Sequence, residues 1–492
     1  MRDVVDRLFS QAAAHPGHPA VVESGVTTNY ASFANRVRRL ANAIASGHER
    51  ARVLIHLPQG VNAYAAMFAT ALAGGVYAPT NISAPIAKQR LVLREFSPDV
   101  IISTPELYSA LTGEARISSA PLIDPKHAER WSPEFASQSL HELAYIIFTS
   151  GSTGIPKGVM IPRTALVHYI AWVLNAIAVT PQDKWSQHPN IAFDLSVLDI
   201  YGALCGGATL FPIIRETHRL MPAVAIRELE LTIWNSVPSV IGFMIKAAQV
   251  TRENLATLRL MTFCGEPLLP EHLEAIFSAR PDLSVYNTYG PTEATVSCTL
   301  LRLTKQSFAN ACRNSVALGD PIPGMGISLI GGANADEGEI VITGPQLAKG
   351  YLESRDATAS AFRRIDVNGK IILGYFTGDF AQRVGRHLYF VGRRDHQTKI
   401  RGYRIELGEV NAALRKCGYP MAASAVIGGV LHAFLETANE VDREHLRMVL
   451  LEILEPYAIP TYFHAIRQFP RNNNDKIDLP ALVDAVSSGK VN

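Results

Sequence analysis

The chain has 492 residues, too many for a single hydrophobic core, so two or three domains or subdomains are expected. Apolar residues make up 48% and charged residues 18%, as in folded globular proteins, and 46 basic against 44 acidic side chains leave a net charge of +2. That balance excludes an electrostatic footprint for nucleic acid or anionic membrane. The cysteines Cys205, Cys264, Cys298, Cys312 and Cys417 are scattered and form no CxxC pair. They indicate neither a disulfide framework nor a zinc site, and fit a reducing, cytoplasmic compartment. The opening MRDVVDRLFSQAAAHPGHP is too charged for a secretory signal. The most apolar window, residues 65–79, is short and broken by Thr70, Gly74 and Gly75, which argues against a membrane span.

In chain order, Phe33, Val37, Leu40 and Ile44 fall on one helical face. Residues 52–57 (RVLIHL) read as a buried strand, 64–72 as helix, 76–79 as strand and turn, and 99–103 as strand. This alternation predicts an α/β domain with a mostly parallel sheet. At 145–159 (YIIFTSGSTGIPKGV) an apolar strand empties into a loop. Four hydroxyls, two glycines and Lys157 lie within the nine residues that start at Thr149. Glycines let backbone approach an anion, and hydroxyls with an ammonium can hold phosphate oxygens. The order is not that of a Walker A loop, because Pro156 precedes Lys157 and Gly158 follows it. Residues 184–300 repeat the α/β theme, with strands expected at 260–263 and 283–286. From about residue 320, short strands (326–330, 338–342, 370–373) separated by Gly, Asn and Asp predict a β-rich subdomain. The last hundred or so residues suit a separate small domain.

Further motifs accompany the loop: Phe193-Asp194-Leu195-Ser196, the run from Asn287 to Glu293, Gly338-Glu339 through Gly344-Pro345 to Gly350-Tyr351-Leu352, Tyr375 to Asp379, Gly392 to Val410, and Asp475-Lys476-Ile477-Asp478. Their order and spacing resemble the acyl-adenylate-forming superfamily across essentially the whole chain. Within it, the chain is similar to adenylation domains of nonribosomal peptide synthesis and to D-alanine–carrier-protein ligases. The resemblance implies an α/β fold with a large N-terminal domain (1–394). That domain holds two α/β subdomains and the β-rich subdomain (about 320–394). A small mobile α+β C-terminal domain (395–492) follows, hinged at Asp395.

It also implies activation of a carboxylic acid by ATP with Mg²⁺, then transfer to a phosphopantetheine thiol on a carrier protein. Carboxylate must attack an α-phosphate, so the site needs cations and donors around the phosphates. By resemblance Thr149, Ser150, Gly151, Ser152, Thr153, Gly154 and Lys157 cradle the β- and γ-phosphates. Thr292 meets the α-phosphate and Glu293 ligates Mg²⁺, a hard cation suited to carboxylate oxygen. Tyr289 stacks on adenine, Asn287 lies at its edge, Gly265, Glu266 and Pro267 join the nucleotide site, and Asp379 accepts from the ribose hydroxyls beside Arg393. Lys476 stabilises the transition state; here Asn473-Asn474-Asp475 precedes it where many relatives carry Asn-Gly, so a local Asp475–Lys476 ion pair is the other reading. Gly402 belongs to the thiol tunnel.

In the amino-acid-activating branch the aspartate matched by Asp194 pairs with the substrate ammonium; a helix cap is the alternative. The transferred pocket positions are Leu195, Leu198, Asn235, Thr262, Cys264, Thr288, Val296 and Ser297. This set has no aromatic residue and implies a small or medium neutral α-amino acid of open chirality. The end of the chain soon after Lys476 implies a freestanding enzyme loading a carrier protein in trans. An acyl- or aryl-CoA ligase, an amide-forming synthetase and a catalytically dead scaffold are the competing readings; Asp194 speaks against the first, and Lys157, Glu293, Asp379 and Lys476 against the last.

Overall fold

The computed structural model describes residues 4–113, 118–135, 140–149, 155–332, 334–367, 369–393, 397–400, 403–471 and 477–488. They form two compact units. One comprises Met1–Asn81, Phe96–Phe148 and Gly158–Arg394; the other comprises Ile82–Glu95, Thr149–Lys157 and Asp395–Asn492.

The first unit is built on sheets of the predicted kind. In one, Val76–Pro79 and Val100–Ser103 flank Arg52–His56 in parallel, and Leu143–Thr149 pairs beyond Val76–Pro79. These strands are buried apolar runs rather than alternating ones, as expected where both faces of a parallel sheet are covered. A nine-stranded sheet places Ser284–Tyr289, Leu260–Phe263, Ile233–Ser236 and Lys184–Gln187 side by side and parallel. Thr299–Leu303 returns antiparallel along Ser284–Tyr289. The expected β-rich segment is an antiparallel sheet of Gly326–Gly331, Glu337–Thr343, Phe362–Val367, Lys370–Val384 and His387–Arg393.

The helix Leu195–Gly206 is apolar nearly all round and buried from Leu195 to Cys205, as a helix without a polar face must be. A Cβ on Gly202 would lie 2.8 Å from the Trp185 ring, so glycine lets the indole rest directly on this helix. Trp185 comes from the strand Lys184–Gln187, and its position ties helix to sheet.

The second unit contains the hairpin Gln397–Ile400 with Tyr403–Glu406. It also has a three-stranded sheet in which Val430–Glu436 pairs antiparallel with Ala422–Ile427 and parallel with Tyr462–Ile466. The helices Leu407–Lys416, Arg443–Leu451 and Leu479–Ser487 complete it, an α+β arrangement. No helix among the described residues is long and apolar enough to cross a membrane.

Candidate active site

The parallel strand Ser284–Tyr289 delivers Asn287, Thr288 and Tyr289 at its carboxyl end, where open α/β sheets collect ligands. The Tyr289 hydroxyl donates to Asp379 Oδ2 at 2.7 Å. Asp379 sits in Lys370–Val384, in register with Arg393 on the neighbouring strand. Arg393 donates to Asp379 Oδ1 at 2.5 Å and to the Thr377 carbonyl at 3.0 Å, and the Asp379 N–H donates to Thr377 Oγ1. Two residues far apart in sequence, Tyr289 and Arg393, thus hold one buried carboxylate from two sides. Burial, then the charge of Asp379, pushes the Tyr289 pKa well up, so its hydroxyl stays a neutral donor. Asn287 Nδ2 donates to the Ala317 carbonyl at 2.8 Å.

The chain then turns sharply. A Cβ on Gly290 would lie 2.5 Å from Ser297 Cα, and the Cys298 N–H donates to the Tyr289 carbonyl at 2.7 Å. Within this loop Thr295 and Val296 both take left-handed backbone, φ 57° and 68°. Consecutive β-branched residues there store strain of the kind that collects at functional sites. Thr295 Oγ1, donating to the Gln346 carbonyl at 2.7 Å, helps to hold it. Thr292 is half-buried and Glu293 fully buried. Glu293 Oε1 accepts from the Tyr351 hydroxyl at 2.8 Å, while its carbonyl accepts from the Ala348 N–H. No cluster of three His, Cys, Asp or Glu side chains suited to a metal occurs among the described residues. A lone carboxylate steadied by a phenol fits Mg²⁺, which keeps waters and substrate phosphates for its remaining positions.

Gly265 has φ 96°, a conformation that favours glycine. Glu266 Oε2 accepts from the Ser239 N–H at 2.9 Å, and Pro267 is exposed.

The proposed amino-acid pocket lies in the same unit. Asp194 occupies the N-cap position of Leu195–Gly206, yet its side chain makes no capping bond, which removes the helix-cap alternative. Leu195 and Leu198, on the same helix, are buried. Asn235 and Thr262 face one another in register, with Thr262 Oγ1 donating to Asn235 Oδ1 at 2.8 Å. Thr288 Oγ1 donates to the Phe263 carbonyl, and Cys264 Sγ to the Val296 carbonyl at 3.8 Å. Ser297 Oγ meets the Tyr169 hydroxyl at 3.3 Å. An aromatic residue thus stands beside the assigned positions. Tyr169, from the helix Arg163–Ile177, abuts Ser297, and Asp194 adds to the elevation of its pKa and of that of Tyr145, mainly a burial effect for both. Sequence reading passed over Tyr169 because it lies outside every motif, and over Tyr351 as a Glu293 partner although it stands in the Gly350-Tyr351-Leu352 motif.

In the second unit, Thr149 Oγ1 lies 3.5 Å from the Lys157 carbonyl, closing the ends of the hydroxyl-rich loop. Ser150, Gly151, Ser152, Thr153, Gly154, Asp395, Gly402 and Lys476 lie outside the described residues.

A sequence profile for AMP-binding enzymes matches residues 8–352. The chain is 28% identical to the D-alanine–D-alanyl carrier protein ligase of Staphylococcus aureus over 509 residues, covering 99% of this chain and 100% of that one. It is 28% identical to the ligase of the same name from Listeria innocua, covering 98% and 99% of the two chains. Among solved structures, the Vibrio cholerae adenylation domain AlmE, in complex with glycyl-adenosine-5′-phosphate, matches with a TM-score of 0.85 at 28% identity, over 99% of this chain and 98% of that one. With a profile match spanning most of the sequence and relatives aligned end to end, the chain belongs to the AMP-binding enzymes of the acyl-adenylate-forming superfamily.

Proposed function

We propose that the enzyme couples a small neutral α-amino acid to ATP, giving aminoacyl-AMP and pyrophosphate, and then passes the aminoacyl group to the phosphopantetheine thiol of a carrier protein. The observation that carries this reading is Asp194. It stands half-buried at the head of a buried helix, near Tyr145 and Tyr169, at the position where the resemblance puts the carboxylate that meets a substrate ammonium. An acid without the amine would leave this half-buried carboxylate without a cation in the occupied site and should be discriminated against. Relatives named as D-alanine ligases, and a neighbour bound to glycyl-adenylate, favour side chains of methyl size or less.

In this reading the Asp379 oxygens, each already accepting one hydrogen bond, keep lone pairs for the ribose hydroxyls. The bond from Asn287 Nδ2 to Ala317 leaves Oδ1 as the acceptor for the adenine amino group. Thr292 takes the α-phosphate, and Glu293, oriented by Tyr351, holds Mg²⁺. Mg²⁺, when bound, supplies positive charge at the phosphate oxygens. Ser150 to Gly154 with Lys157 receive pyrophosphate, Lys476 stabilises the pentavalent phosphorus, and movement about Asp395 exchanges Lys476 for the Gly402 segment between the two half-reactions. A cytoplasmic setting suits the buried thiols of Cys205, Cys264 and Cys298.

The test is amino-acid-dependent ATP–pyrophosphate exchange with glycine, both alanine enantiomers, the remaining proteinogenic amino acids, and aryl and fatty acids. Exchange should centre on one or two small amino acids and fall by about 10²–10³ in Lys476→Ala. Exchange confined to acids without an α-amine would overturn the role given to Asp194, and consumption of the adenylate by free coenzyme A would favour a CoA ligase.

A further inference from the structure

One buried carboxyl group beside the amino-acid pocket has no part in the chemistry above. Asp199 follows Asp194 by little more than one turn of the helix Leu195–Gly206 and is fully buried. Its Oδ1 accepts from Asn235 Nδ2 at 2.8 Å and from Trp185 Nε1 at 3.1 Å. Asn235 Oδ1 accepts in turn from Thr262 Oγ1 at 2.8 Å, and the Asn235 N–H donates to Ser186 Oγ at 3.2 Å. Four elements therefore meet at one polar chain: the buried helix and the strands Lys184–Gln187, Ile233–Ser236 and Leu260–Phe263.

The direction of this chain is set at one end. An asparagine amide fits a site in either of two orientations, and hydrogen bonds alone choose between them. Flipping Asn235 would put its carbonyl oxygen against the Asp199 carboxyl oxygen and its NH₂ against the Thr262 hydroxyl. Asp199, itself aimed by the Trp185 indole, thus selects the amide orientation. Asn235 Oδ1 then takes the one proton Thr262 can donate. Both side chains stand at positions assigned to the pocket, and both spend hydrogen bonds within the wall. A hydrogen or methyl on the substrate meets such a wall without penalty. A hydroxyl finds the Thr262 proton already used and can only donate to the lone pairs that Thr262 Oγ1 keeps, so it loses a donor it had in water and binds less well than a methyl group.

We propose that Asp199 is a positioning residue for amino-acid recognition: by orienting Asn235, and through it Thr262, it fixes the wall met by the substrate side chain and sharpens the choice of a methyl over a hydroxymethyl group. The inference rests on the amino-acid-adenylating reading and deepens it. Asp199 touches neither substrate nor nucleotide in this role, so its effect falls on the amino acid alone.

The test is ATP–pyrophosphate exchange by the full chain, with KM measured separately for ATP and for the preferred amino acid, and with alanine and serine compared in both enantiomers. Asp199→Leu keeps the γ-branched shape, with larger methyl groups, but removes the acceptor. It should raise the amino-acid KM about tenfold, the size of one lost hydrogen bond, and shrink the alanine-over-serine preference by a similar factor. The KM for ATP should stay unchanged. Asp199→Asn retains a carbonyl acceptor and should restore most of both properties. Should Asp199→Leu fail to fold, Trp185→Phe removes the other donor to Oδ1 without touching Asn235 or Thr262, and should raise the amino-acid KM in the same direction by a few-fold. A folded Asp199→Leu, or in its place Trp185→Phe, with unaltered amino-acid KM and preference overturns the inference while leaving the adenylating reading intact. No exchange by the unaltered chain with any amino acid overturns that reading and the inference with it.

Discussion

At the scale of single residues, Asp379 shows how a carboxylate is prepared before any ligand arrives. Tyr289 and Arg393 each donate to a different oxygen, so the orientation of the carboxyl group is fixed by two donors. Asp379→Ala should raise the KM for ATP by about 10- to 100-fold, because it removes the ribose acceptor and leaves a buried guanidinium and phenol without their partner. The KM for the amino acid should not move, and Tyr289→Phe should act in the same direction more weakly. Equal rises in both KM values would assign the three residues to stability rather than nucleotide binding. Asp379, Tyr289 and Arg393 were each singled out in the sequence through family resemblance carried by short motifs, whereas the bond from Tyr289 to Asp379, across 90 residues, is a property of the fold. The bond from Tyr351 to Glu293 was not legible either, although both residues lie in quoted motifs, since 58 residues separate them and only the fold brings them together. Asp199 had a sequence signal of its own: a lone acid in the otherwise apolar segment LSVLDIYGALCG.

At the scale of elements, the apolar runs at 52–57, 99–103 and 260–263 did become strands, and the Gly- and Asp-punctuated segment after 320 became an antiparallel sheet. Short-range periodicity carries that information. It carries nothing about which strands become neighbours, and the proposed pocket wall depends on the adjacency of Lys184–Gln187, Ile233–Ser236 and Leu260–Phe263. The second unit offers a longer-range case. Lys88, from the segment Ile82–Glu95, donates to Glu409 at 3.0 Å and to Glu455 at 2.7 Å, across 321 and 367 residues of chain. All three side chains are about nine-tenths buried. Burial alone would pull the Lys88 pKa down, but Glu455 and Glu409 together raise it, so the ammonium stays charged. Lys88→Met would leave two carboxylates buried without their cation and should destabilise this unit by about 3–5 kcal/mol. Hydrogen exchange in the strands Ala422–Ile427 and Val430–Glu436 should accelerate accordingly. Adding Glu409→Gln and Glu455→Gln should recover much of the loss, since an uncharged, matched set no longer carries a stranded charge. Exchange unchanged in Lys88→Met would show that the triad contributes nothing to the unit's stability.

At the scale of the whole molecule, both units hold imidazoles that folding keeps neutral, and this sets the response to acid. In the first unit His56 is 1% exposed, and its Nδ1 pairs with Thr80 Oγ1 at 2.6 Å. Burial lowers its pKa from 6.5 to about 4. In the second unit, His432 and His464 stack on adjacent strands with ring nitrogens 2.9 Å apart. Burial, and then the neighbouring His464, lowers the His432 pKa as well. The unfolded chain binds protons to these rings near pH 6.5, whereas the folded chain resists them, so protons favour unfolding. The stabilising contribution is fully present above about pH 6.5 and is lost as pH falls towards 4, with His56 alone accounting for up to about 3 kcal/mol. Melting temperature should therefore be flat between pH 7 and 8 and fall steeply below 6.5. His56→Asn cannot titrate in this range; it should start lower at neutral pH but decline less steeply. Because the imidazoles are divided between two units, acid unfolding need not be two-state. His432→Asn should flatten the decline reported by exchange in Val430–Glu436, while His56→Asn should flatten that reported in Arg52–His56. Parallel pH profiles for the unaltered chain and both variants would place the acid sensitivity elsewhere, in His188, whose pKa burial also lowers to about 4, or in carboxylates whose native partners are lost on protonation.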